Sequence, residues 1–240
     1  MQRPAVLFTS FALLLFAVSA RAATITDCCD WASGWAFGSY TVAGAGTASA
    51  TVEATGGNPG ARLNITTVTP TGADTAYGTA LLTTSTTAAP AAGAAFTLSL
   101  DVLSGAGGFG QGQGIQLLVG QAGSIYAQSV GITGFPLASF TTINFPGNFN
   151  AGAFTRISGA GPATPSFDGV TATTYGFAAG NNMSATLTQY YDNFRLVIPS
   201  IGGPAVSSPA ANIPTLSEYG LVALGLFIAG LGMIGLRQRR

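Results

Sequence analysis

From Ala95 to Leu103 the chain reads AFTLSLDVL, with Phe96, Leu98, Leu100 and Val102 alternating against Thr97, Ser99 and Asp101. A period of two puts the first set on one side of a strand and the second on the other, so the segment predicts a half-buried β-strand. GIQLLVG (114–120) repeats the pattern with Ile115, Leu117 and Val119. Further strands are predicted at ARLNITTVT (61–69), YGTALLTT (77–84), SIYAQSV (124–130), SFTTINF (139–145), GAFTRIS (152–158) and YYDNFRLVI (190–198). Turn-forming clusters separate them: GGNPG (56–60), PTGAD (70–74), GAGGFGQGQG (105–114) and FPGNFNAG (145–152). No helical period runs beyond a turn or two between Ala23 and Pro199. The body, residues 23–199, is therefore expected to be one all-β domain, an antiparallel β-sandwich.

The two ends break this pattern. AVLFTSFALLLFAV (5–18) is an apolar run behind a basic Arg3, and Ala20-Arg21-Ala22 places small residues where a signal peptidase reads them. Residues 1–22 are thus expected to be a signal peptide, cleaved after Ala22. Ser200 to Asn212 (SIGGPAVSSPAAN) has the composition of a flexible linker. Ile213 to Gly220 (IPTLSEYG) then precedes an uncharged apolar run, Leu221 to Leu236, and a basic end, 237–240. A helix over 221–236 would span about 24 Å, a little less than a bilayer core. Tyr219 and the closing arginines extend it by interfacial anchoring, and Gly225, Ala229 and Gly232 give it a small-residue face for a partner helix. One C-terminal transmembrane helix is expected, with the arginines cytoplasmic and the β body outside.

Charge sharpens the picture by its scarcity. Only 7% of the 240 residues are charged, and there is no His and no Lys. Between the leader and the tail, Arg62, Arg156 and Arg195 face seven acids, a net charge of −4 that disfavours nucleic acid as a partner. Without His or Lys, Ser-His-Asp, Cys-His, Schiff-base and Ser-Lys chemistry are all excluded. Carboxylate chemistry survives, so the enzymatic alternative is a glycosidase using Glu53 or Asp101. Glu53 is the only Glu of the body, with no acid at a spacing that marks a partner. It reads as a solvated residue on a strand edge, and the chain as no enzyme. GAGGFG (105–110) matches a dinucleotide fingerprint only in form, because it runs into more glycine and a strand rather than a helix.

Three local features carry further expectations. In YYDNFRLVI, Asp192 falls in phase with Phe194, Leu196 and Ile198, so an extended strand would bury its carboxylate. That group must accept backbone N–H donors, bind a cation or pair with an arginine. In DCCDW (27–31), Cys28 and Cys29 are adjacent and the only cysteines, which leaves a vicinal or an intermolecular disulfide in an oxidising compartment. Trp31, Trp35, Phe37 and Tyr40 are either core residues or a platform on which sugar rings stack. Asn64 (NIT) and Asn182 (NMS) match glycosylation acceptors and are left unassigned.

GGNPGARL (56–63) and the closing YYDNFRLVI resemble exported jelly-roll domains of the galactose-binding-like and laminin-type families, a group that includes many carbohydrate-binding modules. The resemblance implies a jelly-roll β-sandwich. It also implies a structural calcium beside the last strand, with Asp192 as ligand together with Asp27 or Asp30. Ile213, Pro214, Thr215, Leu216, Ser217, Glu218 and Gly220, followed by an apolar helix and RQRR, are very similar to the IPTL-CTERM protein-sorting family of Gram-negative bacteria, with Tyr219 where that family usually has Trp. This resemblance implies recognition of the tail by a membrane-embedded sorting protease of the exosortase type, and cleavage near the motif. The expected protein is non-enzymatic. It passes through an inner-membrane intermediate with its body in the periplasm, then reaches the cell surface or matrix. The alternative is a carbohydrate-binding or adhesive module with polysaccharide as its partner.

Overall fold

The computed structural model describes residues 21–27, 31, 33–107 and 112–201. Twelve β-strands account for most of these: β1 Arg21–Asp27, β2 Trp35–Ala43, β3 Thr47–Gly57, β4 Gly60–Thr69, β5 Thr75–Ala88, β6 Ala95–Gly107, β7 Gly114–Gln121, β8 Ser124–Ile132, β9 Thr141–Asn148, β10 Thr155–Ser158, β11 Ala172–Asn181 and β12 Ala185–Ile201. The one helical element among the described residues is a 3-10 turn, Ala151–Ala153, which Asn150 caps by accepting the Gly152 N–H. No described helix is long and apolar enough to cross a membrane. Residues 1–20 of the leader, Cys28, Cys29, Asp30, the linker from 202 onward, the sorting motif and the apolar run 221–236 lie outside the described residues.

The strands form two six-stranded antiparallel sheets. The first runs β3-β4-β12-β6-β9, with β1 added beside β12; the second runs β10-β8-β7-β11-β5-β2. The expected all-β antiparallel sandwich is what the chain forms. Its core lies between the sheets, filled by the inward sets that alternation predicts: Phe96, Leu98, Leu100 and Val102 from β6, Ile115, Leu117 and Val119 from β7, and Tyr175, Phe177 and Ala179 from β11. The Phe177 ring packs against Trp31, Tyr191 and Phe194 with centroids 5.1–6.2 Å apart, so one aromatic cluster ties the second sheet to β12 of the first. Contacts of this geometry add about 0.5–1.5 kcal/mol each to the burial of the rings themselves.

All eight predicted segments lie at least partly in strands. Two details differ. FPGN (145–148) was expected to turn, yet it closes β9, an edge strand, where Pro146 costs no ladder hydrogen bond. Asp192 is buried as expected, but not on the core face. It pairs with Asp101 across β12 and β6, and the register shifts between Asp192 and Arg195. Asn193, at φ +49°, occupies that bulge. The extra residue lets Tyr191 and Phe194 both point inward, which turns Asp192 to the outer face with Asp101. There the turn at Gly57 and Asn58 covers it.

A buried polar network bridges the sheets at the start of β7. Gln113 donates through Nε2 to the carbonyls of Ile65 and Leu187, both at 3.2 Å, and accepts from the Tyr191 hydroxyl at 2.7 Å. Its own N–H donates to Gln189 Oε1 at 3.0 Å, and Gln189 donates to the Gly134 carbonyl at 2.9 Å. Each of these groups finds a partner, so the network anchors the start of β7, in the second sheet, to β4 and β12 of the first at little desolvation cost.

Candidate functional site

The outer face of the second sheet is unlike that of an ordinary solvated strand layer. Strand register builds it in rows. One row runs Tyr40, Tyr77, Gly180, Gly114, the next Gly38, Thr79, Ala178, Gln116, Ser129, and the third Ala36, Leu81, Gly176, Leu118, Ala127. Leu81, Leu118, Ala127 and Ala178 are buried here, forming a small apolar cluster separate from the main core and flanked by Tyr40, Tyr77, Ile125 and Ile157. Glycine or alanine at four of the six β11 and β7 places in these rows, all but Gln116 and Leu118, leaves small residues between taller side chains at either flank. The result is a trough. One hollow of about 280 Å³ lies against Tyr40, Thr79, Leu81, Leu118 and Ile157, and a second of about 430 Å³ lies against Thr86, Gly120, Gly123, Ala172 and Thr174. The two share Leu81 and Ile125, and neither is lined by a charged side chain.

One end of the trough is aromatic. The rings of Tyr40 and Tyr77 stack with centroids 5.1 Å apart and planes 11° from parallel. Both are half-buried, and the Tyr40 hydroxyl donates to Gln116 Oε1. Burial raises the Tyr40 hydroxyl pKa well above its ordinary value; the neighbouring Tyr77 raises it further, and Gln116 opposes the shift. Burial raises Tyr77 as well, again against the effect of Gln116. Both phenols stay neutral hydrogen-bonding groups at any physiological pH.

The sequence-predicted residues fall in other places. Of the early aromatics, Trp31 is 2% exposed, and Trp35 and Phe37 pack against the same core. Trp31 lies 4.8 Å from Trp35, which in turn meets Phe194 edge-on at 5.2 Å. These three follow the core reading, whereas Tyr40 alone reaches the outer face. Glu53 lies on β3 at the sheet edge, where Arg62 reaches it at 2.6 Å and Asn64 Nδ2 donates at 2.8 Å. Asn64, desolvation and Arg62 act on it in that order, and the net effect lowers its pKa. A lowered carboxyl does not suit a general acid, which needs the opposite shift. The Arg62 guanidinium also sits over the Tyr190 ring, 3.5 Å from its centroid. A half-buried pair on the sheet edge remains partly screened by solvent and contributes little, so Glu53 is a minor contributor to stability.

Asp192 and Asp101 form a second polar cluster, under the β3–β4 turn. Asp192 accepts the N–H groups of Asn58 and Asn193, the latter at 2.8 Å. Asp101 accepts from Thr142 at 2.5 Å and from Asn193 Nδ2 at 2.8 Å. Burial raises the Asp192 pKa; the two amides lower it, and Asp101 adds to the rise. Of the three ways to satisfy this carboxylate, N–H donation is the one its described neighbours supply. Calcium requires six to eight oxygen ligands. The described residues here direct donors at both Asp192 oxygens, and the Asp27 and Asp30 side chains lie outside the described residues. No group of three or more His, Cys, Asp or Glu occurs together among the described residues.

Residues 211–240 match the IPTL-CTERM motif. The C-terminal sorting signal marks an exported, surface-associated protein. No curated protein matches the chain. Among solved structures, the chain is similar to a family 11 carbohydrate-binding module of the cellulosomal cellulase Lic26A-Cel5E of Clostridium thermocellum, at 17% identity and a TM-score of 0.39, over 75% of this chain and 96% of that one. It is also similar to a xylan-binding domain of carbohydrate-binding family 22, at 10% identity and a TM-score of 0.36, over 72% and 94% of the two chains. An exo-β-agarase is similar at 14% identity and a TM-score of 0.32, over 80% of this chain and 28% of that chain.

The residues that sequence reasoning missed are Tyr77, Gln116 and the small residues of β11. Tyr77 lay inside a predicted strand, YGTALLTT, in phase with Thr79 and Leu81. Outward alternation of Tyr with apolar Leu was the available signal, since a strand that is apolar on both sides of a two-layer fold has a second surface to cover.

Proposed function

We propose that the protein is an exported glycan-binding module, displayed at the cell surface, with the trough on the second sheet as its binding site. The observation that carries this reading is the half-buried, stacked Tyr40–Tyr77 pair, with Tyr40 lining a hollow that has no charged side chain. Sugar rings present flat C–H faces and a rim of hydroxyls; aromatic side chains take the faces, while fixed amides and hydroxyls take the rim. A low floor lets a chain-like ligand lie close to the sheet backbone. The sorting signal supports delivery to the surface, and the tail is read as the substrate of a membrane-embedded sorting protease of the exosortase type, which cleaves near Ile213–Gly220.

A printed array of bacterial and plant polysaccharides, probed with the labelled full-length chain, tests the site. Binding to one or more polysaccharides is expected, with Tyr77→Ala weakened at least roughly tenfold, as for an aromatic residue at the centre of a binding surface. A chain that binds no glycan, or a Tyr77→Ala variant that binds as well as the parent, would remove the trough as a glycan site.

A further inference from the structure

Among the described residues five strands have a single neighbour, and four of them are poor templates for another copy of themselves. β1 is charged at both ends, by Arg21 and Asp27, and β9 carries Pro146, which has no N–H to offer. β10 is four residues long, with a register shift and Arg156. β2 is uncharged but does not match its own reverse: a twofold centred on Ser39, for example, sets Gly38 opposite Tyr40. β3 differs from all four. It pairs with β4 alone, its register is unbroken from Thr47 to Glu53, and it holds no proline. An edge of this kind accepts a further strand unless charge, proline or a bulge blunts it, and β3 has none of these before Glu53.

The sequence of this edge is the same in both directions: Thr47-Ala48-Ser49-Ala50-Thr51. Antiparallel pairing reverses one chain against the other. A twofold through Ser49 therefore places Ser49 opposite Ser49, Thr47 opposite Thr51 and Ala48 opposite Ala50. Thr47, Ser49 and Thr51 are exposed on the outer face, whereas Ala50 packs inward against the core. Hydroxyl thus meets hydroxyl and methyl meets methyl, pairs that suit neighbouring strands. Thr66, the β4 neighbour of Ser49, already bonds Thr188 of β12 at 2.8 Å, so an added strand prolongs a row of hydroxyls. Charge does not oppose the contact. Glu53 is held by Arg62 at 2.6 Å and falls opposite Ala45 of the second copy, so like charges do not meet. The edge is also fixed in advance. A Cβ on Gly78 of β5 would come 3.1 Å from the Ser49 carbonyl oxygen, so the β3 backbone rests directly on the second sheet and little ordering remains when it pairs.

We propose that β3 pairs with β3 of a second copy, antiparallel about Ser49, and joins two first sheets into one. Outer-facing residues meet outer-facing residues in this register, so both second sheets lie on the same side and their troughs face the same way. A ladder of five residues is a small contact, which makes the association weak and dependent on concentration rather than permanent.

Sedimentation velocity of the full-length chain in detergent micelles tests the pairing. The parent should show a monomer–dimer equilibrium, with more dimer at higher concentration. Ser49→Lys and Ser49→Glu each set like charges directly opposite across the twofold, and each should weaken dimerisation roughly tenfold or more. Mixing the two variants in equal amounts sets Lys against Glu and should restore the dimer to the parental level or above. Thr186→Lys, exposed on the same face but two strands from the edge, should associate like the parent. Should either Ser49 variant fail to fold by circular dichroism, the double variant Thr47→Lys with Thr51→Lys, which sets lysine against lysine in the same register, should be monomeric in its place. Equal association of the parent and all of these variants would locate the contact elsewhere, the apolar tail included, and overturn the proposal. So would a weakening that the mixture does not relieve, or a parent that stays monomeric up to about 0.5 mM.

Discussion

Single carboxylates in this chain are set by what faces them, and they divide into two kinds. Asp74 accepts the N–H groups of Ala45 and Thr71, both at 2.6 Å, and the Thr71 hydroxyl at 2.8 Å, which hold its pKa below the ordinary value. Asp168 likewise accepts from Val170, Thr171 and Ser166, and the Thr171 hydroxyl and N–H lower it most. Asp192 moves the other way, raised by burial. The lowered groups, Asp74, Asp168 and Glu53, contribute stability that is present above their unfolded values and lost as pH falls through the folded ones. Asp192 contributes stability that is present below its unfolded value and lost as pH rises through its raised folded one. With no histidine in the chain, few other groups titrate in between. Thermal denaturation against pH should therefore show its maximum near pH ~4–5, a steep loss on the acid side below ~4 and a shallow loss above it. Asp192→Asn should remove the shallow limb and keep the acid one. If the variant instead follows the parent curve over the whole range, Asp192 is not the group responsible.

At the scale of the strand, β11 is the informative element. It occupies the middle of the second sheet, between β7 and β5, yet ATTYGFAAGN carries little of the β-branched content that marks a strand. Its small residues answer to its neighbours. A Cβ on Gly180 would lie 2.2 Å from Cδ1 of Tyr77 and 2.5 Å from the Ala76 carbonyl, so only glycine lets the tyrosine lie across the strand. Gly180→Val should accordingly cost about 1–3 kcal/mol in chemical denaturation and also abolish glycan binding, by displacing Tyr77. Retained binding in a destabilised variant would show that Tyr77 tolerates the shift. The same physics explains what was legible beforehand. β6, β7 and β4 bury one set of residues against the core, so a period of two appears in the sequence. β11 is buried from Tyr175 to Asn181 and carries glycine and alanine on its outer face, which erases the alternation. β3, with its Thr, Ala and Ser, and β2, hidden among aromatics, were missed for related reasons. The bulge at Asn193 reversed the predicted side of Asp192, because one extra residue shifts the phase and nothing in the local pattern marks it. The site was half legible: Tyr40 was among the residues picked out as a platform, while its partners Tyr77 and Gln116 come from strands far along the chain.

For the molecule as a whole, export was legible from the tail alone, because motif, apolar run and basic end follow one another in order, and the match over residues 211–240 accords with that. The proposed processing predicts that intact mass analysis of protein released from the cell surface will find chains ending near Ile213–Gly220; surface chains that still end in Arg240 would refute it. A different property follows from the pairing of the first strand with the last. Arg21 lies opposite Ile201, so β1 and the end of β12 run side by side in opposite directions. Tension applied between these two points would peel their ladder one rung at a time, the geometry in which a sheet yields easily. A load applied between the trough and Ile201 meets a different obstacle. It pulls β12 along its own length, against β4 on one side and β6 on the other, so many rungs bear it together. The sandwich is mechanically weak between its own ends and strong between its proposed binding face and the strand that leads to the tail.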